Sequence, residues 1–378
     1  MQLRIATFNI ENLLSRQRFG ASARPDSAAA LALFGFEPPI RDAVERSVSV
    51  ILEDDKRQMT ALAIADARAD ILCLQEVDNL GVLEAFFGNY VHRVADHRYG
   101  HFRLLRGNDE RGIDVAFACR RDLLAPNKVT WRSHKAATYN DLDVYDSDLA
   151  ALGIAAHRPV FKRDCLEISL DIDGRPLTLF ITHLKSMQNG RDDGRGRTAP
   201  VRRAEARAIR RLVEDKFGYA WREHDWIIAG DLNDYTEIIG PLGVVTPARP
   251  SALDPLLDDF AVNPVRKLPP HERWTHFHRD WSEQKKRLVE EHVQLDYLLL
   301  SPALAAREPV AVEIIRRGQP YRVPLDPRAP DRSIPTLSAA GGRYPRVGWD
   351  RPKASDHCPL VVTITLPHRR QPDIRRVR

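Results

Sequence analysis

The chain has 378 residues, 43% hydrophobic and 29% charged, with a formal net charge of +5. That balance is ordinary for a globular protein with a sizeable core. It excludes a membrane-spanning helix, since no apolar run approaches the roughly 20 residues a span needs.

Charge is concentrated locally. Lys185–Arg211 carries nine basic and three acidic residues, the tail Arg369–Arg378 five arginines and one aspartate, and the remainder is net −5. The overall basicity is therefore a weak argument about partners.

In chain order, LRIATFNIENLL opens with a strand from about Leu3 whose exit carries Asn9 and Glu11. Lacking a basic segment followed by an unbroken apolar one, it does not read as a signal peptide, and a cytoplasmic location is expected. Residues 15–55 look like an insertion, with Pro38-Pro39 and a helix over 41–52. Lys56–Ala69 reads as an amphipathic helix. ILCLQEV follows as a strand ending in Gln75 and Glu76. Ionised carboxylates seldom end so apolar a run without a partner or a metal.

Arg111–Arg120 is a further strand, with Asp114 explicable as a structural ion pair, and 121–157 reads mainly as loop. The strands CLEISLDI and LTLFITHLKS flank Asp173-Gly174, a hairpin turn, and the second ends in His183 and Lys185. A Gly/Arg/Asp loop over 189–199 leads to a helix from Val201 to Lys216, and then to WIIAGDLND. Its apolar run suits a buried strand, Gly230 suits a close backbone approach, and Asp231 and Asn233 emerge two apart on one side.

Residues 239–273 are Pro-rich and irregular. RWTHFH is a short strand that places His276 and His278 on one face, but without a third ligand nearby an exposed aromatic-rich strand is expected instead of a metal site. Trp274, Phe277 and Trp281 are expected to pack structurally. VQLDYLLLS is a strong strand with Asp296 near its start, and AVEIIRR is a further strand. Gln319–Pro352 is a long loop, long enough to suggest a lid or disorder. SDHCPLVVTITL sets Asp356 and His357 just before the last strand. No pair of the four cysteines has CxxC spacing, so buried free thiols are expected.

Polar residues thus leave strand ends at Asn9/Glu11, Glu76, His183 and Asp231/Asn233, and precede strand starts at Asp296 and Asp356/His357. In a mixed sheet, C-ends of some strands and N-ends of others share one rim. Glu11, Glu76 and Asp356 could supply oxygen ligands to Mg²⁺, with Mn²⁺ as a substitute. Asp296 beside His357 would fix the imidazole tautomer and favour its charged form. Asp231 could orient or deprotonate a water, while His183 and His357 neutralise charge on a phosphate.

This combination resembles the endonuclease/exonuclease/phosphatase superfamily of metal-dependent phosphoesterases. The matching stretches are FNIEN, LQEV, RGIDVAF, THLKS, GDLND, LDYLLLSP and SDHCPL, spread from Leu3 to Leu366. The style of RGIDVAF with THLKS is nearest to bacterial deoxyribonuclease-like members. The resemblance implies a four-layer α/β/β/α sandwich of two packed mixed sheets with helices outside.

It also implies roles. Glu76 matches the metal glutamate, Asn9 with Glu11 the first metal-and-phosphate motif, Asp231 with Asn233 the nucleophile-orienting pair, and Asp296 with His357 the Asp-His dyad. His183 sits where deoxyribonucleases and sphingomyelinases have histidine and abasic-site endonucleases tyrosine, which argues against a close repair-enzyme relative. Arg158 in HRPV resembles a phosphate-contacting arginine.

One domain over 1–367 is expected, with insertions near 15–55 and 317–353 and a basic tail at 368–378, acting as a monomer. Nucleic acid is the expected substrate. Arg203, Arg207 and Arg210 form one stripe on the helix after His183, and Arg203 and Arg207 with Lys185 and Arg158 are candidate substrate contacts. A phosphodiesterase or phosphatase acting on a lipid or small phosphoester is the alternative, and a non-enzymatic binding protein is disfavoured because every catalytic position is filled. No G-x-S-x-G or Gly-Lys dipeptide supports a serine hydrolase or a P-loop enzyme.

Overall fold

A computed structural model describes residues 1–14, 38–187, 194–282, 286–329 and 342–367, with the backbone alone for 38–52, 126 and 280–282. Most of the insertion expected before residue 38, the first part of the loop expected over 189–199, the side chain of Trp281 and the basic tail lie outside the described residues.

The strands in chain order are β1 (Gln2–Leu13), β2 (Ile71–Val77), β3 (Tyr99–Leu104), β4 (Asp114–Arg120), β5 (Val129–Ser133), β6 (Cys165–Ile172), β7 (Arg175–His183), β8 (Trp226–Asp231), β9 (Glu237–Ile239), β10 (Val245–Pro247), β11 (His276–Ser282), β12 (Arg287–Val293), β13 (Asp296–Leu300), β14 (Ala311–Ile314) and β15 (Leu360–Thr365). One large sheet runs β14-β15-β1-β2-β4-β3 and the other β13-β8-β7-β6-β5, while β10-β9-β12-β11 forms a smaller side sheet. Both large sheets are mixed: β1–β2 and β7–β8 are parallel and the other pairs antiparallel.

Alternation along the strands of the two large sheets builds three of the four described cores. Leu3, Ile5, Ile71 and Cys73 of the first sheet pack against Leu179, Ile181, Ile227, Ala229 and Leu298 of the second. Ala6, Phe8, Leu72 and Leu74 face the other way, onto Met59, Ile64 and Ala67 of the helix Pro38–Ala67. Phe180, Ile228 and Leu299 likewise face Ala204, Ala208 and Leu212 of the helix Gly194–Phe217. The result is the expected four layers. Each fully buried Leu, Ile or Phe contributes roughly 1.5–3 kcal/mol through the area removed from water.

Local structure departs from expectation in several places. The segment 41–69 forms one helix, Pro38–Ala67, instead of two, because no glycine or proline interrupts it after Pro39. The second long helix starts at Gly194 and runs through Pro200. An interior proline removes a backbone donor, and Arg202 supplies donors in the same turns, to Arg195 O at 2.7 Å and to Thr198 Oγ1.

Within 121–157 lie β5 and the short helix Ser147–Ala151; β5 was illegible because it is an edge strand with three of five residues exposed. VQLDYLLLS is divided, β12 ending at Val293 and β13 beginning at Asp296. The described flanks of the long loop after Gln319 are packed down: Gln319, Val323, Tyr344 and Val347 are buried.

The same alternation explains why the rim is polar. Leu3 and Ile5 share a face with Thr7 and Asn9, Ile227 and Ala229 with Asp231, Leu179 and Ile181 with His183, and Leu298 and Leu300 with Asp296. Register then aligns these ends: Asn9 sits opposite Gln75, and Asp231 lies between His183 and Asp296. Four strand C-ends and one N-end therefore open into the gap between the sheets.

Candidate active site

The rim centres on Asp231. Its Oδ2 accepts from Asn9 Nδ2 at 3.1 Å and lies 3.4 Å from His183 Nε2 and 3.7 Å from His357 Nε2. Its Oδ1 accepts from the Asn233 backbone N–H at 2.9 Å, while Asn233 Nδ2 donates to Leu184 O at 3.1 Å. Gly230 makes this possible: a Cβ there would stand 1.8 Å from Thr182 O, and its φ of 149° suits only glycine.

His357 is held by Asp296, whose Oδ2 lies 2.8 Å from Nδ1. Ser355 Oγ donates to Asn9 O at 2.7 Å and accepts from His357 N–H at 3.1 Å, which ties the SDH turn to β1. Gln319 Nε2 donates to Ser355 O and His357 O at 3.1 and 3.0 Å. The segment expected to be a lid or disordered thus begins as a brace under the SDH turn.

Glu76 reaches the rim through a bulge. Strict alternation would point it away from Gln75, but the β1–β2 and β2–β4 registers both shift here and Glu76 takes a φ of 66°. Its Oε1 then accepts from Asn9 Nδ2 at 3.3 Å and its Oε2 from Asn12 N–H at 3.0 Å. A positive φ on a non-glycine residue costs stability and is typical of functional positions.

Electrostatics divides the groups. Burial, with Arg163 and His357 adding, holds His183 well below the ordinary histidine range and therefore neutral. Burial opposes charge on His357 too, but Asp296 and Asp231 outweigh it and keep the imidazole protonated, well above that range. Burial pushes Asp231 up to about 7, against the pull of His357 and with the Asp296 charge adding to the rise. Burial, reinforced by the charge of Asp356, raises Glu76. Asp356 is held far below the usual carboxylate range: burial acts against this, but His357 and Lys353 prevail.

These residues fit a divalent cation. Glu76 is a largely buried carboxylate that accepts only from neutral donors and feels a second carboxylate, Asp356. Among the described residues no cationic side chain pairs with Glu76. Two hard oxygen donors that repel one another are what Mg²⁺ stabilises.

Other expected site residues are engaged differently. Glu11 is caged by cations, with Lys353 Nζ at 3.2 Å, Arg351 at 3.7 Å and Lys56 Nζ at 3.7 Å. That carboxylate is already compensated, unlike Glu76. Arg158 is exposed on its loop, where its carbonyl accepts from Tyr139 N–H. Lys185 is half-buried just past His183, its backbone N–H donating to Glu205 Oε2 at 2.7 Å and its Nζ to Ser186 O at 3.0 Å. Arg203 pairs with Asp148 at 3.3 Å and Arg207 with Asp146, the residue capping the helix Ser147–Ala151. The stripe therefore meets the acidic loop of its own chain. Asp114 is structural, bonded to Arg106 at 3.3 Å and Gly107 N–H at 2.8 Å.

Two contributors went unread in the sequence, and a third was read there but not as part of the site. Arg163 is buried and donates to Leu184 O at 2.6 Å, the same carbonyl that Asn233 uses, and to Asp109 at 3.0 Å. Gln319 is the second. The third is His276, set aside as a metal ligand because no third ligand was expected nearby; its ring centre lies 4.8 Å from that of His357, and Asp356 completes a close group of three. None stands at a motif, and only long-range contacts reveal them. All four cysteines are buried and free, as expected, and no described helix is long and apolar enough to cross a membrane.

Known proteins similar to the chain are distant. No curated protein matches it. Zebrafish (D. rerio) TDP2, solved in complex with a single-strand DNA product, aligns at 15% identity over 96% of this chain and 99% of that one, with a TM-score of 0.48. An endonuclease/exonuclease/phosphatase family protein from Leptotrichia buccalis C-1013-b aligns at 12% identity over 96% and 100%, with a TM-score of 0.49. The human Nocturnin catalytic domain with bound sulfate aligns at 14% identity over 97% and 95%, with a TM-score of 0.44. The model of one family, described as Endonuclease/Exonuclease/phosphatase family, matches residues 6–357, nearly the whole chain. With that span matched and the rim residues in place, the chain belongs to the Endonuclease/Exonuclease/phosphatase family of divalent-metal-dependent phosphoester hydrolases.

Proposed function

We propose that this protein is a Mg²⁺-dependent nuclease that hydrolyses nucleic-acid phosphodiesters by attack of an activated water, with Mn²⁺ able to replace Mg²⁺. The observation that carries this reading is the convergence of Asn9, His183 and His357 on one oxygen of Asp231.

Glu76 and Asp356 would hold the ion, which when bound supplies Lewis-acid polarisation and charge neutralisation at a phosphoryl oxygen. Asp231, raised by burial, is matched to accept a proton from water near neutral pH. The Asn233 backbone N–H fixes the carboxylate that does so. Burial holds His183 neutral, and its Nε2, 3.4 Å from Asp231 Oδ2, is placed to donate to that carboxylate and orient it. His357 brings a positive charge to the growing negative charge of the transition state, and Asp296 sets its ring orientation. Asn9 bridges the two sheets through Glu76 and Asp231, so it keeps the metal-side and water-side carboxylates in fixed relation.

A second reading, hydrolysis of a lipid phosphoester, is favoured by one feature. Leu242 and Val244, at the hairpin between β9 and β10, are 70% and 62% exposed. Two exposed apolar residues one glycine apart suit a membrane surface better than a nucleic acid.

A side-by-side assay in Mg²⁺ of duplex DNA, single-stranded DNA, RNA, a bis-aryl phosphate and a phospholipid decides between them. Cleavage of nucleic acid that is lost in Glu76→Gln supports the nuclease. Turnover of the phospholipid with every nucleic acid left intact overturns it.

A further inference from the structure

β11 belongs to the side sheet, outside the sandwich, yet it delivers a histidine to the rim. His276 pairs with His357 as an isolated antiparallel bridge, and the two rings stand 4.8 Å apart at 45°. Among the described residues, His276, Asp356 and His357 are the one group of three whose ligand atoms all lie within 4.8 Å of one another.

The hydrogen bonds give this group a definite donor set. His276 Nδ1 lies 3.1 Å from the carbonyl of Asp356 and is placed to donate to it. His357 Nδ1 lies 2.8 Å from Asp296 Oδ2. In each ring Nδ1 is taken up by an oxygen acceptor, which leaves Nε2 to a metal; in His357 that nitrogen also lies 3.7 Å from Asp231 Oδ2 and must release its proton to the ion. A metal-ligating histidine usually has its second nitrogen bonded to a carbonyl or carboxylate in this way. Asp356 adds an oxygen: Ser355 Oγ lies 3.4 Å from its Oδ1, and among the described residues Oδ2 accepts no hydrogen bond.

We propose that His276, Asp356 and His357 form a binding site for a divalent transition-metal ion, Zn²⁺ being the best match, overlapping the catalytic histidine. Two imidazole nitrogens and one carboxylate are the three-ligand set of open zinc sites. The same set discriminates against Mg²⁺, which prefers oxygen ligands and keeps its water.

The consequence for turnover rests on the proposed role of His357. An ion on its Nε2 removes that nitrogen from the phosphate and draws on Asp356, which the proposed Mg²⁺ site shares with Glu76, so Zn²⁺ is inhibitory while Mg²⁺ supports activity. The binding itself does not depend on that role.

The experiment is a titration of the full chain with Co²⁺ and with Zn²⁺ in excess Mg²⁺, followed by visible absorption and by calorimetry. Wild type and Glu76→Gln are expected to bind one ion with nitrogen-ligand Co²⁺ bands that Zn²⁺ displaces. His276→Asn should bind it more than about 100-fold more weakly, beyond the ~10–100-fold loss typical of removing only an outer partner. In a nuclease assay, Zn²⁺ should inhibit wild type, and His276→Asn should relieve that inhibition relative to its own zinc-free rate.

Absence of Co²⁺ or Zn²⁺ binding by wild type overturns the site whatever the variants do. Equal binding by a folded His276→Asn protein overturns it as well, and reduces His276 to a packing partner of His357. If instead the ion binds as described but no nucleic acid is cleaved in Mg²⁺, the site stands and the nuclease reading fails.

Discussion

The rim between the sheets and the arginine-rich helix Gly194–Phe217 are both dense in ionisable groups, but they match their charges differently. On the helix six arginines find an acid: Arg195 and the fully buried Arg202 with Asp234, Arg203 with Asp148, Arg207 with Asp146, Arg210 with Glu214 and Arg211 with Asp215, while Arg197 is exposed. At the rim burial and the charge of Asp356 raise Glu76, and Asp231 is raised by burial. The outer pairs are partly exposed and contribute little each. The rim groups are buried, where an uncompensated charge is costly unless something binds there. A run of basic residues in sequence is thus a poorer guide to a site than carboxylates left under-compensated inside the fold.

The sharpest way to break this contrast is to remove the metal side. Chelation should abolish turnover and Mg²⁺ or Mn²⁺ restore it, while Glu76→Gln should fold normally, by circular dichroism, and show no metal-dependent rate. Full activity after exhaustive chelation would leave the Glu76–Asp356 pair without the role assigned to it.

Next in size are the histidines. His183→Ala and His357→Ala should each lower kcat by about 10²-fold or more. The double variant should lose less than the product of the two, because groups acting as a unit are not additive. Asp296→Asn should resemble His357→Ala through loss of the Nδ1 partner. Wild-type rates in the single variants would move the chemistry away from Asp231.

Glu11 supplies a comparison within the rim itself. Because Lys56, Arg351 and Lys353 already surround it, Glu11→Gln should reduce activity at least about tenfold less than Glu76→Gln, against the several kcal/mol a metal ligand can supply. Equal losses in the two variants would make Glu11 a ligand after all.

The pH profile reads the raised carboxylate. Asp231 must be ionised to accept a proton, so kcat/KM should rise with pH along a limb whose midpoint lies at or below about 7. A bound cation favours the charged form and can only move the limb toward acid. A limb lying entirely above pH 8 would not belong to Asp231.

The smallest effect is expected on the helix. With Arg203 and Arg207 already paired, replacing both by Gln should change the salt slope of duplex DNA binding by less than one, where each neutralised phosphate contributes about 0.9. A shift of one to two units, with a raised KM for long DNA and an unchanged rate on a small aryl phosphodiester, would instead make the stripe a binding face.

The sequence by itself determined the layers and the composition of the rim. Asn9, His183, Asp231 and Asp296 continue apolar alternations, and a period of two fixes which face such a residue shares. Gly230 was legible for a related reason, since only glycine leaves room for Thr182 O. What the sequence could not specify was the partner of each charge.

Glu11 and Glu76 both leave strands as glutamates, yet one meets three cations from the helix Pro38–Ala67 and the 351–353 turn, while the other meets Asn9, Asn12 and the field of Asp356. Arg163, Gln319 and His276 reach the site from segments with no motif. Faces follow from local backbone geometry, which a few residues encode. Compensation, burial and pKa depend on groups tens to hundreds of residues away in sequence, and these come together only when the sheets close.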